Sequence, residues 1–243
     1  GTFGTILSLG AVGSLIAFVL VGNWVHTYGI KPIVTFGSTG LFASLALYPH
    51  MHNANYFLLL NIFASFCWTS FHIANNAQAI HRQEEVGELI LPKLHGLWSL
   101  GALVTSLVAI VITPFVTLCW HIGVTVFVMW LFTMYGIVKS TPFFIDKNEE
   151  ADAFPSFSIK EIAKTFHFQP VIILAMVLAM QVEFSIQDWS AIYAKDTLKM
   201  SASASIWSYA VFIGAMIIVR FNAKRLAARF SERQLISKLP ILG

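Results

Sequence analysis

The chain has 243 residues, of which 57% are hydrophobic and only 11% are charged, and its formal net charge is +3. A soluble domain usually carries about 25% charged residues, so this chain could not cover a water-facing surface with polar groups. The composition predicts an integral membrane protein. Its basic residues are spread between apolar segments instead of forming a stripe, which excludes nucleic acid as the expected partner.

Seven apolar runs are long enough to cross a lipid bilayer as helices of about 17–25 residues, so the expected fold is all-α. They cover residues 4–22, 32–49, 56–80, 93–113, 119–138, 170–193 and 203–221. The linkers alternate in charge, because one set holds thirteen of the fifteen Lys and Arg residues and the other holds only Lys195 and Lys199. The positive-inside rule places the basic set in the cytoplasm of a plasma or bacterial inner membrane, with the first residue external and the C-terminal end cytoplasmic.

The ends of the chain suggest a fragment of a longer protein, because it begins without Met and a further apolar run starts at 239–243. The long polar linker after residue 139 is typical of a joint between two helical bundles. We therefore expect an N-terminal bundle over residues 1–141, a cytoplasmic loop over 142–169 and the start of a C-terminal bundle over 170–243.

A polar stripe ends the third span. The pair Trp68 and Thr69, then His72, then the pair Asn75 and Asn76 recur every three to four residues, which places them on one helix face. Single polar residues in membrane helices usually hold helices together, whereas four on one stripe equally fit the wall of a polar cavity. Both interpretations stay open at this point. In a cavity, the amides and His72 would bind a polar solute, and Trp68 would stack on a sugar ring.

The sixth span contains a carboxylate, Glu183, about 20 Å from the point where its apolar run begins. A bilayer core is about 30 Å thick, so Glu183 is expected beyond the midplane, with Gln187 on the same helix face. Such an acid either fastens helices together or has a function, and the cost of a charge in lipid favours function. We expect Glu183 to be a proton-linked acid and Asp188 to fix the helix end. Arg220, at the end of the last span, is expected to extend to the inner interface.

Two loops are candidates for gating. The linker after the first span contains Gly22, His26, Gly29 and Lys31. Six spans later a basic turn contains Arg225 and Arg229, and the two turns overlay weakly, as a parallel repeat of two bundles would.

Three motifs resemble those of a known family. Gly22, Gly29 and Lys31 match the pattern G-x-x-x-D-R-x-G-R-K, with His26 at the Asp position and Thr27 at the Arg position. Residues 72–79 and 95–101 match D-x-x-x-N-A-Q-A and H-G-L-W-S-L-G, with His72 at the Asp position, and residues 183–193 match E-x-x-x-x-D-W-S-A-x-Y. The chain thus resembles the major facilitator superfamily and, more narrowly, its fucose-permease-like bacterial branch.

The resemblance implies an incomplete two-bundle helical transporter with about seven of twelve helices, namely helices 2–6, 7–8 and the start of helix 9. It implies a monomeric secondary transporter in the lipid bilayer that moves a small polar solute, such as a sugar, by alternating access together with a proton. Neither a cofactor nor a metal is expected, because Cys67 and Cys119 have no partner spacing.

A receptor or sensor and a membrane enzyme are the two alternative function classes. Seven spans with an external start also fit a seven-helix receptor or sensor, although the last span has no Lys for a retinal Schiff base. A membrane enzyme is not expected, because the sequence contains no paired acids at metal-ligand spacing and no nucleophile motif.

Overall fold

The computed structural model describes residues 2–88, 90–142 and 170–231. These residues form helices and no strand, which confirms the predicted all-α fold. The helices are α1 Thr2–Leu9, α2 Ala11–Tyr28, α3 Ile30–Leu47, α4 Ala54–Val86, α5 Leu91–Ile112, α6 Leu118–Ser140, α7 Pro170–Asp196, α8 Ala202–Phe221 and α9 Ala223–Arg229. Apart from residue 142, the predicted loop 142–169 lies outside the described residues, as does the predicted start of a further helix at 239–243.

Within the described residues, six helical segments are long and apolar enough to cross a membrane. They are Gly4–Tyr28, Ile30–His50, Ala54–Val86, Leu91–Ile112, Leu118–Ser140 and Ala202–Phe221. Each coincides with a predicted span, and many large apolar side chains along them are exposed, as lipid contact requires. The predicted span 170–193 forms α7, a helix of 27 residues that is not one of the six, so its crossing of the membrane stays a prediction.

Contacts divide the chain into two compact units, and the first comprises the described parts of Gly1–Glu85 and Val116–Phe168. Its apolar core joins α2, α3, α4 and α6. The turn between α2 and α3 is made by Gly29, whose φ of 87° favours glycine. The buried core residues are Ala17, Val21, Val25, Ile30, Ile33, Val34, Ala74 and Ile137.

A break at Gly10 separates α1 from α2, and α4 supplies hydrogen bonds at this break. Asn61 Nδ2 donates to the carbonyl oxygens of Ile6 at 2.9 Å and Leu7 at 3.3 Å. Tyr48 Oη donates to Asn61 Oδ1 at 3.2 Å. Because lipid offers no water to backbone carbonyls, a broken helix in a membrane needs such partners from its neighbours.

The second unit comprises the described parts of Val86–Phe115 and Gln169–Gly243, with α8 packed against both α5 and α7. Small residues on α5 allow this packing: Gly96 lies against the Phe221 ring, and Ser99 is fully buried. Ser203 Oγ donates to the carbonyl oxygen of Ile110 at 2.7 Å. The predicted division placed α5 in a bundle over residues 1–141, whereas contacts group α5 with α8. That division in chain order stays a prediction.

The close approach of α2 to α4 at Gly13 generates a stability prediction. A methyl group at Gly13 would collide with the backbone carbonyl of Ile62, which no side-chain rotation can relieve. We expect Gly13→Ala to lower the free energy of unfolding by about 1–3 kcal/mol, the usual cost of overpacking. Gly136→Ala is the matched control, because a methyl group there meets nothing within 4 Å. Thermal unfolding in detergent measures both, and equal melting temperatures for the two variants would contradict the close packing.

Candidate functional site

Glu183 is half-buried on α7, in the run that the sequence predicted to be a helix, and it has two polar partners. Gln187 Nε2, one turn later, donates to Glu183 Oε1 at 2.8 Å. Arg220 Nη2, on α8, donates to the same oxygen at 3.2 Å and forms a salt bridge with it. The side chain of Glu183 is 33% exposed and that of Arg220 is 22% exposed. The site is therefore an ion pair between two apolar helices.

α5 completes the surroundings of Arg220. Arg220 Nη1 donates to Ser99 Oγ and, at 3.4 Å, to the carbonyl oxygen of His95. The guanidinium carbon lies 5.8 Å from the centroid of the Trp98 ring, which is within cation–π range. Ser99 Oγ in turn donates to the His95 carbonyl oxygen at 3.0 Å. His95, Trp98 and Ser99 of α5 thus form one wall of the site.

The guanidinium of Arg220 binds Glu183 and α5, so it has partners within the protein, and its expected extension to the inner interface stays a prediction. In a low-dielectric environment a carboxylate and a guanidinium attract each other strongly, and each removes the cost of leaving the other unpaired. Sequence reasoning missed Ser99 and Arg220 as site residues. The available signal was an acid, Glu183, in one apolar run and a base, Arg220, in the next, since a charge among apolar helices requires a partner.

Arg220 and Glu183 form one chemically connected group. While Glu183 is ionised, the pair is neutral overall. Without the charge of Glu183, Arg220 would be held, among the residues that the structure describes, only by the neutral groups of α5. The two side chains therefore depend on each other for charge compensation.

The predicted polar stripe of α4 belongs to the first unit. The rings of Trp68 and His72 have centroids 4.2 Å apart, and Asn75 is exposed while Asn76 is half-buried. Thr69, also on this stripe, is buried and donates to Ser14 Oγ at 2.9 Å, so it holds α4 against α2. The other four residues of the stripe lie on α4 in the first unit, whereas Glu183 and Gln187 lie on α7 in the second unit. Their joint role in one cavity stays a prediction.

The first predicted gating loop contacts the end of α6. Lys31 Nζ donates to the carbonyl oxygen of Val138 at 3.3 Å, and Gln78 Nε2 donates to that of Ser140 at 3.1 Å. Both bonds satisfy carbonyl groups in the last turn of a helix, where a cation is also favoured by the helix dipole. His26 is half-buried on α2 and Gly22 is buried. Lys31 therefore binds the carboxyl end of α6, and its gating role stays a prediction.

The second predicted gating loop includes α9. Arg225 Nη1 donates to Asn222 Oδ1 at 3.3 Å, and Arg229 lies in the last turn of α9. Among the residues that the structure describes, no group of three or more His, Cys, Asp and Glu side chains could hold a metal ion.

Removal of Glu183 tests the ion pair. Deleting one partner of a fully buried pair costs about 3–5 kcal/mol, and because Glu183 is partly exposed we expect a loss of about 2 kcal/mol in the free energy of unfolding for Glu183→Ala. The matched control is Glu85→Ala, which deletes an exposed pair with Arg82 at 2.6 Å and should leave stability unchanged. Thermal unfolding of both variants in detergent decides, and an unchanged melting temperature for Glu183→Ala would show that the pair contributes nothing.

Comparison with known proteins places these features in a family. The sequence matches the family model described as Major Facilitator Superfamily over residues 1–241. It is also similar to a protein described as "Uncharacterized transporter y4wD" from Sinorhizobium fredii (strain NBRC 101917 / NGR234), with 23% identity over 233 residues. That match covers 95% of this chain and 60% of the relative, so the chain spans less than two thirds of the relative's length. No solved structure matches. Because the family model covers almost the whole chain, the chain belongs to the Major Facilitator Superfamily and is a multi-pass membrane protein of a transporter family.

Proposed function

We propose that the chain forms part of a monomeric secondary transporter that moves a small polar solute across a cell membrane by alternating access. The observation that carries this proposal is the Glu183–Arg220 ion pair between two apolar helices. Charges at such positions are costly and mark the pathways of solutes and protons in membrane proteins. Family membership and the printed name of the relative, a transporter, support the same class. They favour transport over the receptor that a count of seven spans also suggested.

Proton coupling is the second part of the proposal, and Glu183 is its acid. A carboxyl group that can be ionised beside Arg220 and neutral without it has two stable protonation states in two environments. Gln187 suits both states, since its amide offers a donor to the carboxylate and an acceptor to the protonated acid. A proton taken from one side of the membrane would thus leave on the other side when the surroundings of Arg220 change.

A sugar-like solute is the third part. Trp68 is 37% exposed and its ring lies against His72, which gives α4 an aromatic face beside the amides of Asn75 and Asn76. Sugars combine apolar ring faces with hydroxyl groups, so stacking on an aromatic ring next to amides suits them. The motif resemblance to the fucose-permease-like branch supports the same class. In this proposal the loop with Lys31 and the turn with Arg225 and Arg229 lie on the cytoplasmic side, as the distribution of basic residues indicates.

Uptake by the complete protein in proteoliposomes tests the proposal. For wild type, we expect a proton gradient to drive accumulation of one member of a panel of neutral and acidic sugars. Glu183→Gln should abolish this accumulation while counterflow exchange of the same solute continues, because an amide fills the site without titrating.

Glu84→Gln is the matched control, since it makes the same chemical change at an exposed position on α4. It should accumulate solute like wild type. Gradient-driven accumulation that survives Glu183→Gln would remove Glu183 from the coupling step, and the absence of uptake for every sugar would remove the proposed solute class.

A further inference from the structure

The charge balance around Arg220 restricts the chemistry of the solute. Within the described residues, the ion-pair partner of Arg220 is Glu183. Its other contacts are neutral: the Ser99 hydroxyl, the His95 carbonyl oxygen and the face of Trp98. Arginine keeps its charge at every accessible pH. Whenever Glu183 takes up a proton, the site therefore holds one uncompensated positive charge.

An uncompensated guanidinium among apolar helices is costly, by several kcal/mol when it is well buried. Water lowers this cost when a cavity is open, but a closed transport intermediate excludes bulk water. An anion that enters with the proton removes the cost altogether. A carboxylate is the best fit, because it accepts the two parallel N–H bonds that the guanidinium fork offers.

We propose that the solute carries a carboxylate, which replaces the carboxylate of Glu183 on Arg220 when Glu183 is protonated. The inference rests on the proposed function and names the class of its solute. The exchange is balanced: the proton binds a carboxylate oxygen of Glu183, the Glu183–Arg220 bond breaks, and the solute carboxylate forms the new bond with Arg220. One monocarboxylate and one proton then move together without net charge.

The neighbouring face of α7 indicates the rest of the solute. Ser190 lies two turns beyond Glu183 on the same side of α7, about 10 Å along its axis. Among the described residues its hydroxyl oxygen is buried and has no hydrogen-bond partner. Buried hydroxyl groups are nearly always paired, so this one suits a hydroxyl group of a ligand. Together the two positions fit a hydroxylated carboxylate, that is, a sugar acid.

Other titratable groups near the pair do not replace Glu183 in this scheme. His95 of α5 contributes its backbone carbonyl oxygen to Arg220, and its ring lies against Trp98 with centroids 6.5 Å apart. Asp188 of α7 interacts electrostatically with Tyr209 of α8. Asp188 lies more than one turn from Glu183, toward the end of α7.

Binding to the purified complete protein tests the inference with matched probes. Three pairs differ mainly by a carboxylate: glucuronate and glucose, gluconate and sorbitol, lactate and propane-1,2-diol. We expect one carboxylate to bind wild type at least about tenfold more tightly than its neutral partner. Its affinity should rise as the pH falls toward 5, where the probes stay ionised and a proton is taken up on binding.

Two variants separate the roles. Glu183→Gln mimics the protonated acid, so it should bind the carboxylate tightly at every pH in this range. Arg220→Gln should lose the preference for the carboxylate. If the glutamine variant does not fold, Arg220→Lys is used instead, and it should weaken the preference because it keeps the charge but loses the bidentate fork. Glu84→Gln should behave like wild type. Neutral probes that bind as tightly as their carboxylate partners, or a Glu183→Gln variant that binds no carboxylate more tightly than wild type at neutral pH, would overturn the inference.

A second measurement does not depend on the identity of the solute. In Glu183→Ala the space beside Arg220 is open to a small carboxylate, so acetate should raise the melting temperature more than its neutral isostere acetamide does. The double variant with Arg220→Gln should lose this difference. Equal effects of acetate and acetamide on Glu183→Ala would overturn the inference.

The failure of this inference can be distinguished from the failure of the proposed function. Gradient-driven uptake of neutral sugars alone would support transport and reject the anion site. Acetate rescue without uptake of any solute would support the anion site and reject transport.

Discussion

The ion pair between Glu183 and Arg220 is the constraint on which the second unit depends. Each charge is costly without a partner among apolar helices, and the ion pair holds α7 and α8 together where the two side chains meet. α5 takes part as well, because Ser99 Oγ and the His95 carbonyl oxygen accept hydrogen bonds from Arg220 Nη1. The close approach of α5 requires small residues, and Gly96 and Ser99 provide them. Electrostatics and packing therefore select the same arrangement of three helices.

In the described part of the first unit, close packing and hydrogen bonds hold the helices together. Lipid tails are as apolar as the helices, so helix association depends on close packing and on hydrogen bonds between helices. Gly13 permits backbone contact between α2 and α4, and Asn61 satisfies carbonyl groups at the break between α1 and α2. Lys31 and Gln78 satisfy carbonyl groups at the end of α6. Asn61, Lys31 and Gln78 thus donate hydrogen bonds to backbone carbonyl groups that water would satisfy in a soluble protein.

The sequence allowed the helical fold and six of the seven spans to be predicted, because hydropathy depends only on local composition. It also predicted that Glu183 and Gln187 share one helix face, whereas the functional role of Glu183 stays a prediction. It did not reveal the partner of Glu183. Arg220 is 37 positions away and lies at the end of an apolar run, where a basic side chain usually extends toward the interface. The contacts between α5 and α8 were not predicted, because they join helices that are distant in the chain, and the predicted division into bundles of consecutive helices stays a prediction. Thr69 lies on the polar stripe of α4, but its hydroxyl group donates to Ser14 Oγ and so holds α4 against α2. Sequence alone could not distinguish this packing role from a place in a cavity wall.

The contacts of Arg220 connect the predicted bundle division with the proposed transport cycle. In that predicted division, α5 would belong to the first bundle and α7 and α8 to the second. The bonds from Arg220 to Ser99 and to the His95 carbonyl group would then join the two bundles, whereas the bond to Glu183 would lie within one of them. Alternating access would move one bundle against the other, so in the proposed cycle the first bonds break and reform while the second can persist. In the same proposal, protonation of Glu183 would make Arg220 depend on its partners in α5, and a solute carboxylate in the place of Glu183 would relieve this dependence. The proposed mechanism thus couples the proton and the solute to one movement through the state of a single ion pair.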